Sequence, residues 1–142
     1  MSPGVTIERV ATLDPATLAR CDFSFDRSRA AYPFDSAFAV PRSGRMIAVV
    51  RIDGCVAGYI ACQSDGISAE VRRIEIDRSH RGQGLGRRLL DEARDWASAM
   101  GLPTLRLETL ADNPAAGRFF GGYGFTLTGE GDVQHWRLTL PV

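Results

Sequence analysis

A glycine-rich segment constrains the fold of this chain more than any other feature. Residues 81 to 86 read Arg-Gly-Gln-Gly-Leu-Gly, between a strand-like apolar run and a segment of helical periodicity. Glycines let backbone amides approach an anion closely, and a helix that begins there adds the positive end of its dipole. Arg81, Arg87 and Arg88 crowd this helix start, where the dipole disfavours cations. The segment predicts a phosphate site; the alternative is a tight turn with solvated arginines.

Two common nucleotide motifs fit this segment poorly. A Walker A loop needs Gly-x-x-x-x-Gly-Lys-[Ser/Thr], which the chain lacks. A dinucleotide fingerprint needs its third glycine one residue later than Gly86, and the preceding strand follows a hairpin instead of opening a series of βαβ units. A nucleotide-dependent oxidoreductase is therefore the weaker reading of the glycines.

The hydrophobic pattern predicts a mixed α/β sheet in one domain covering residues 1–142. A chain of this length, 44% hydrophobic and 24% charged, can bury one sizeable core. Asp53-Gly54 favours a type I′ hairpin turn between two apolar runs. We expect strands at Val5–Val10, Met46–Ile52, Cys55–Gln63, Ser68–Asp77, Leu105–Thr109, Phe125–Thr128 and Gln134–Leu140. We expect helices from Pro15 to about Cys21, from Leu85 to Met100, and from Pro114 through Phe120.

Composition and cysteine usage exclude several classes of partner. The 17 basic and 17 acidic residues balance, which argues against general nucleic-acid binding. No apolar run approaches the roughly 20 residues that cross a bilayer, and the first residues lack the apolar stretch of a signal peptide. The three cysteines are scattered and, with His80 and His135, show no metal-ligand spacing. We expect a cytoplasmic protein without a metal, a nucleic-acid partner or a membrane partner.

Two motifs lie at a separation typical of one known family. Residues 74 to 86 give a strand, a short connection and the pattern [Arg/Gln]-x-x-Gly-x-[Gly/Ala] before a helix. Residues 113 to 125 read Asn-x-x-Ala-x-x-Phe-Phe-x-x-x-Gly-Phe. Together they resemble motif A and the second motif of the GNAT superfamily, the acyl-CoA-dependent N-acetyltransferases. The resemblance covers roughly Met46 to the C-terminus and implies a central, mostly antiparallel sheet with a splayed parallel strand pair and flanking helices.

The resemblance also implies acetyl-CoA as co-substrate. Its pyrophosphate would lie on the glycine segment, and its pantetheine arm would enter between the strand ending at Ile76 and the strand ending at Thr109. Asn113 would contact pantetheine, cap the next helix, or do both. The residues expected to bind the cofactor are Ile74, Ile76, Arg81, Gly82, Gln83, Gly84, Leu85, Gly86, Asn113, Phe119 and Phe120.

Transfer of an acetyl group to an amine needs a base. An alkyl ammonium with a pKa near ~10 is almost fully protonated at neutral pH, so a proton must be removed. Glu70 lies where several family members place a catalytic Glu or His, and strict alternation would put it on the face of Ile74 and Ile76 unless a bulge shifts the register. The alternative for Glu70 is a solvated carboxylate or a partner of Arg72. Glu108 is the second candidate, because other members use a Glu on that strand.

Glu75 and Tyr123 have less direct roles in the expected acetyl transfer. Glu75 alternates to the face opposite Ile74 and Ile76, and we expect a structural role for it. Phe120 stands where the family commonly has a Tyr that protonates the departing thiolate. Tyr123 or a water is a candidate substitute, although Tyr123 can also simply pack beside the Gly124-Phe125 turn. This departure motivates an alternative function, a non-catalytic acyl-CoA-binding sensor or scaffold.

The acceptor is expected to be a primary amine of a small molecule or peptide. In the family it enters past the segment that here runs from Asp22 to Val40. The aromatics of this segment (Phe23, Phe25, Tyr32, Phe34, Phe38) can wall a pocket, and its aspartates (Asp22, Asp26, Asp35) can attract a cation; a simple lid over the core is the alternative. The strand at residues 106–109 resembles that of streptothricin acetyltransferases. A homodimer is a further expectation from the superfamily.

Overall fold

The chain forms a seven-stranded sheet with three α-helices, seen in a computed structural model that describes residues 4–24 and 35–141. The sheet order is β1-β2-β3-β4-β5-β7-β6. The strands are β1 Val5–Val10, β2 Arg45–Ile52, β3 Cys55–Ser64, β4 Ala69–Ile76, β5 Thr104–Leu110, β6 Thr126–Gly129 and β7 Val133–Thr139. The helices are α1 Pro15–Leu18, α2 Leu85–Ala99 and α3 Pro114–Tyr123. The predicted order of elements and the mixed-sheet fold class are confirmed.

Local sequence signals account for most element boundaries. Asp53 and Gly54 have φ angles of 49° and 85°, so both residues adopt the left-handed conformation of a type I′ turn between β2 and β3. Asp14 caps α1 by accepting a hydrogen bond from the Ala16 amide at 3.0 Å. Gly101 has a φ of 73° directly after α2, as expected for a glycine that ends a helix.

The region after α1 differs from the prediction. The helix ends at Leu18 instead of about Cys21, because the Cys21 amide bonds to the Leu18 carbonyl in a tightened turn and its thiol donates to the Val56 carbonyl. Two short 3₁₀ helices, Ser36–Ala39 and Arg78–His80, were not expected. Of the aromatics and aspartates predicted for the acceptor segment, Phe25, Asp26, Tyr32 and Phe34 lie outside the described residues.

The sheet carries a hydrophobic cluster on each face. On one face α2 buries Leu85, Leu89, Leu90, Ala93, Trp96 and Ala97 against side chains of β2 to β5. The other face carries a smaller cluster with Leu18 of α1, Phe23, Phe38 and Tyr59 of β3. The helical spacing of the α2 stripe therefore gives the larger part of the core.

The contact between β4 and β5 is short and leaves the sheet split. These two strands are parallel and pair at two positions, Ala69 with Leu105 and Glu70 with Arg106, whereas β3 pairs with β4 from Gly58 to Ser64. Beyond Glu70 the two strands diverge, so a V-shaped opening lies between residues 71–76 of β4 and the second half of β5. This opening positions the candidate site.

Among the described residues, no helix combines the length and the apolar character needed to cross a membrane.

Candidate active site

A cleft of 1530 Å³ occupies the opening between β4 and β5 and extends to the start of α2 and the side of α3. This exceeds the roughly 300–1,000 Å³ of typical small-molecule sites, so an extended ligand fits. The cleft is lined by all of the predicted site residues except Gln83 and Tyr123. The two motifs, more than 25 residues apart in sequence, therefore meet around one cavity.

The glycine segment presents backbone amides to this cleft. Gly82 and Gly84 have φ angles of 77° and 78°, a conformation that L side chains rarely adopt, and a Cβ at either position would meet no atom within 4 Å. Gly84 caps α2 without any side-chain hydrogen bond. Within the described part of the chain, no hydrogen bond of ordinary geometry is donated by the backbone amides of Gly82, Gly84, Leu85 and Gly86. Open amides at a helix start are what an anion site requires.

Two contacts hold the glycine segment in place. Arg81 folds back so that its Nε donates to the Ile76 carbonyl at 3.0 Å, which ties the segment to the end of β4. A Cβ at Gly86 would lie 2.9 Å from Cζ of Phe119. A side chain at position 86 would therefore have to displace the ring of Phe119, because α2 and α3 approach each other closely there.

Part of the main chain of β4 is also open to the cleft, although the Ile76 carbonyl accepts the Arg81 hydrogen bond. The Asp77 amide donates to the Ala57 carbonyl, which makes Ile76 and Gly58 a non-hydrogen-bonded pair of the antiparallel ladder. Because backbone polar groups alternate along a strand, those of Ile74 and Ile76 point away from β3 and towards β5. These are the two positions at which the sequence predicts contacts to pantetheine.

Glu70 does not share the face of Ile74 and Ile76, because β4 contains the bulge that shifts its register. The β3–β4 register shifts so that Arg73 pairs with Ala61 and Val71 pairs with Cys62, leaving Arg72 as the extra residue of a bulge. Ile74 and Ile76 consequently share the α2 face with Val71. Glu70 lies on the opposite face, where its carboxylate is 2.9 Å from Arg106 Nη1 and 3.7 Å from Arg72 Nη1.

Glu108 lies on the same face as Glu70. Leu105, Leu107 and Thr109 of β5 are buried, so the residues between them alternate to the other side. The Glu108 carboxylate is more than half exposed and lies 3.5 Å from Nδ1 of His135 on β7. Glu70 and Glu108 both line the main cleft and an adjoining pocket of 320 Å³. The structure thus brings both candidate bases to the opening between the strands.

Comparison with known proteins identifies the family. Residues 13–125 match the sequence model of the Acetyltransferase (GNAT) family. The chain belongs to this family. Its glycine segment lies within the matched range, and the fold described above is the GNAT fold.

Individual relatives match part of the chain or its fold. The chain is 37% identical over 97 residues to an IAA acetyltransferase of Azospirillum brasilense, covering 68% of this chain and 50% of that protein. It is 36% identical over 61 residues to a streptothricin acetyltransferase of Escherichia coli, covering 43% and 35%. The chain spans half or less of the length of these curated relatives. A Bacillus anthracis protein assigned as a streptothricin acetyltransferase, solved with acetyl coenzyme A, has a TM-score of 0.77 at 20% identity over 96% of this chain and 100% of that one.

The second GNAT motif has a clear structural basis. Asn113 caps α3, with its Oδ1 accepting from the Ala116 amide at 3.3 Å, and it also lines the cleft. Phe120 is buried with its ring 5.1 Å from that of Phe119 and 5.8 Å from that of Phe125. Phe119 and Phe120 therefore form an apolar wall of the cleft.

Tyr123 does not reach the cleft. Its hydroxyl donates to Oδ1 of Asp91 on α2 at 2.7 Å, and Arg87 lies 5.5 Å above its ring. Burial, followed by the hydrogen bond to Asp91, raises the pKa of Tyr123 above its ordinary value. Of the two readings of Tyr123, the structure supports packing between the two helices and not a place beside the departing thiol.

Glu75, for which the sequence predicted a structural role, is a residue of the cleft. It lies opposite Ile74 and Ile76, as predicted, and its carboxylate accepts a hydrogen bond from the Tyr59 hydroxyl at 2.6 Å. Burial is the largest effect on this carboxyl and raises its pKa. The available signal was an acidic residue between two isoleucines in a strand directly before the glycine segment.

Proposed function

We propose that this chain transfers the acetyl group of acetyl-CoA directly to a primary amine. The observation that carries the proposal is the conformation of Gly82 and Gly84, which are both left-handed and line the cleft between β4 and β5. Their backbone amides donate no hydrogen bond to the described part of the chain. Such amides suit a pyrophosphate, and the strand opening suits an extended pantetheine arm. The GNAT membership of the chain and the acetyl coenzyme A complex of its Bacillus anthracis structural neighbour support the same ligand.

We assign the general base to Glu108. Arg106 and Arg72 both lie within ion-pair distance of Glu70, so two guanidinium groups compete with an incoming ammonium for that carboxylate. Glu108 faces the same opening and has only the His135 imidazole near it among the ion pairs of the described residues. Glu70 then acts as a positioning residue that holds Arg106 at the point where β4 and β5 separate.

The departing thiolate needs little help from an acid. A thiol with a pKa of ~8.5 is a tolerable leaving group near neutral pH. Phe119 and Phe120 supply apolar surface beside the expected thiol position, and a water can deliver the proton. Direct transfer is favoured over an acyl-enzyme, because none of the three cysteines lines the cleft, and burial with nearby carboxylates raises the pKa of the Cys21 thiol to about 11.

The acceptor is proposed to be a primary amine of a small molecule or peptide. The Glu108 carboxylate, more than half exposed at the opening between β4 and β5, can attract the ammonium form of such an acceptor. The names of the relatives, which include a streptothricin acetyltransferase, support an amine acceptor. The comparisons offer nothing in favour of a non-catalytic sensor. The three free cysteines support a cytoplasmic location, and a homodimer stays a prediction that sedimentation can test.

Two measurements test the proposed function. Isothermal titration should show binding of acetyl-CoA and CoA, and little binding of ATP and NAD. Thiol release from acetyl-CoA should increase when primary amines are added from a panel. Binding of NAD without binding of CoA would overturn the cofactor assignment. Tight CoA binding with no amine-dependent thiol release would instead support the sensor.

A further inference from the structure

The adjoining pocket of 320 Å³ lies directly beside the proposed base. Glu70, Leu107 and Glu108 line both this pocket and the main cleft. The rest of its lining comes from β5, β6 and β7 and includes Arg106 and Arg137. An acceptor whose amine lies at Glu108 can therefore extend its remaining atoms into the adjoining pocket.

Arg137 is an exposed arginine of β7 that lines the adjoining pocket without an acidic partner. Within the described part of the chain, its guanidinium forms no ion pair and no hydrogen bond. Arg137 is directly opposite Arg106 in the β5–β7 register, and like charges at opposite positions destabilise a sheet. The Arg106 guanidinium has Glu70 at 2.9 Å and Asp65 at 3.6 Å. The charge of Arg137 is therefore the uncompensated one of the two.

Glu108 supplies a negative charge on the same face. It pairs with His135, two residues before Arg137, so Glu108 and Arg137 are diagonal neighbours of the β5–β7 ladder. Diagonal neighbours in an antiparallel pair have Cα atoms about 7–8 Å apart. The ion pairs of the described residues give Glu108 only the His135 imidazole, at 3.5 Å, and do not join it to Arg137. Both charges are thus open to a ligand.

A small zwitterion matches this pair of charges. Side chains that stand perpendicular to the sheet keep their end groups at the spacing of about 7–8 Å. With a hydrogen bond of about 2.8 Å at each end, the two ligand groups lie about 2 Å apart if the ligand sits between the end groups, and up to about 8 Å apart if it sits above them. An amino acid with a short carbon chain covers this range, and the planar guanidinium suits a carboxylate.

We propose that Arg137 binds a carboxylate of the acceptor, so that the preferred acceptors are small amino acids. The carboxylate supplies the anion that the opposed pair Arg106 and Arg137 lacks on the β7 side. Arg137 then determines specificity and takes no part in the proton transfer. This inference deepens the proposed function and rests on it, since Glu108 has to receive the amine of the same acceptor.

Two acceptors that differ in one charge test the role of Arg137. 3-Aminopropanoate carries a carboxylate, and 3-aminopropanamide carries a neutral amide of nearly the same shape. Their amines differ in basicity, so the measured quantity is the ratio of the two kcat/KM values in each variant relative to the parent protein, in which that difference cancels. Arg137→Gln should shift this ratio towards the amide by about tenfold or more, mainly through KM, because it removes a charge-assisted contact.

Two further variants control for charge and geometry. Arg137→Lys keeps the charge without the planar fork and should retain part of the preference. Arg51→Gln removes an arginine of β2, which β3 and β4 separate from β5, and should leave the ratio unchanged. The melting temperature of Arg137→Gln should equal or exceed that of the parent protein, because a like-charge pair is lost. A merely structural arginine would instead lower it.

The outcomes separate this inference from the proposed function. The inference is wrong if Arg137→Gln has the parent ratio, if it lowers kcat/KM equally for both acceptors, or if Arg51→Gln shifts the ratio as much. If neither acceptor releases thiol, titration of 3-aminopropanoate into the CoA-saturated chain decides: binding that Arg137→Gln weakens by about tenfold supports the site, and equal or absent binding refutes it. Failure of the proposed function appears separately, as absence of CoA binding or of thiol release with every amine of the panel.

Discussion

Arg106 Nη1 lies 2.9 Å from Glu70 Oε2, and the same two residues form the last register pair between β4 and β5. The ion pair thus marks the place where the backbone contact between the parallel strands stops and the cleft begins. Arg106 Nε also donates to the Ser68 hydroxyl at 3.1 Å, so the guanidinium bridges β5 to the start of β4. Side chains therefore reinforce the short backbone contact between the strands at the point where it ends.

This arrangement predicts unequal effects for the two candidate bases. Glu108→Gln should lower kcat for acetyl transfer by about 10²–10⁴-fold, because it removes the group that takes the proton of the amine. Glu70→Gln keeps a hydrogen-bonding partner for Arg106 and should lower kcat by about tenfold or less. Steady-state thiol release at saturating acetyl-CoA measures both variants.

The reverse ranking would identify Glu70 as the base in spite of its two arginine neighbours. CoA titration is the control, since neither substitution touches the glycine segment and both variants should bind CoA as the parent protein does.

Gly84 gives a second prediction. Gly84→Ala forces a side chain into a φ of 78° at the start of α2, which costs about 1–2 kcal/mol of stability, and its Cβ occupies the space in front of the open amides. CoA affinity should fall by about tenfold or more, because the displaced amides lose charge-assisted hydrogen bonds.

Gly66→Ala is the matched control for Gly84→Ala. Gly66 has a φ of 87°, its Cβ would also meet no atom within 4 Å, and it lies in the β3–β4 turn outside the cleft. Both variants should melt at a lower temperature, and Gly84→Ala alone should lose CoA affinity in a calorimetric titration. Equal affinity in the two variants would contradict an anion site at the glycine segment.

Most of the fold could be predicted because its signals are local. The alternation in β1, the Asp53-Gly54 turn and the apolar stripe of α2 each report on a few neighbouring residues. The end of α1 depends instead on a contact of Cys21 with β3, at Val56, which lies 35 residues away. A long-range contact of this kind leaves no local pattern.

The candidate site was predictable in its cofactor half and less so in its catalytic half. Motif A specifies the positions of its own glycines, and these form the segment at the start of α2. The bulge at Arg72 arises from the pairing of β4 with β3, and a single extra residue reverses the face of Glu70. The hydrogen bond between Tyr59 and Glu75 likewise joins two strands and gives no signal in either one alone.

Arg81 is expected to contribute more to ligand binding than to stability. Its guanidinium is exposed, bonds to the Ile76 carbonyl, and adds positive charge beside the open amides. Arg81→Ala should weaken CoA binding by about tenfold, reduce its dependence on salt concentration, and shift the melting temperature little. The control is Arg51→Ala. Arg51 lies on β2, which β3 separates from the cleft between β4 and β5, and its Nε is 3.4 Å from the Glu8 carboxylate. Unchanged affinity in Arg81→Ala would show that the backbone amides act without it.

Tyr123 is expected to contribute to stability and not to catalysis. Tyr123→Phe removes the hydrogen bond to Asp91 that joins α3 to α2, and should lower the free energy of unfolding by about 1–2 kcal/mol. The kcat for thiol release should stay within about twofold of the parent value, because the hydroxyl lies outside the cleft. Urea unfolding and steady-state kinetics on the same preparation measure the two effects. A large fall in kcat with unchanged stability would restore Tyr123 as the proton donor.

Glu75 makes the stability of the protein depend on pH. Burial raises the pKa of its carboxyl above the ordinary 4.5, against the smaller effects of Tyr59, Arg73 and Arg81. Between 4.5 and the raised pKa, the folded chain keeps a proton at Glu75 that the unfolded chain has lost, so this group lowers the free energy of unfolding as the pH rises through that window. Relative to the parent protein, Glu75→Gln should therefore become more stable as the pH rises from 4.5 towards neutrality. Urea unfolding at constant ionic strength measures this difference, with Glu130→Gln as the exposed control. If the free energy of unfolding of Glu75→Gln relative to the parent protein stays constant or falls as the pH rises, the folded chain compensates the Glu75 charge fully.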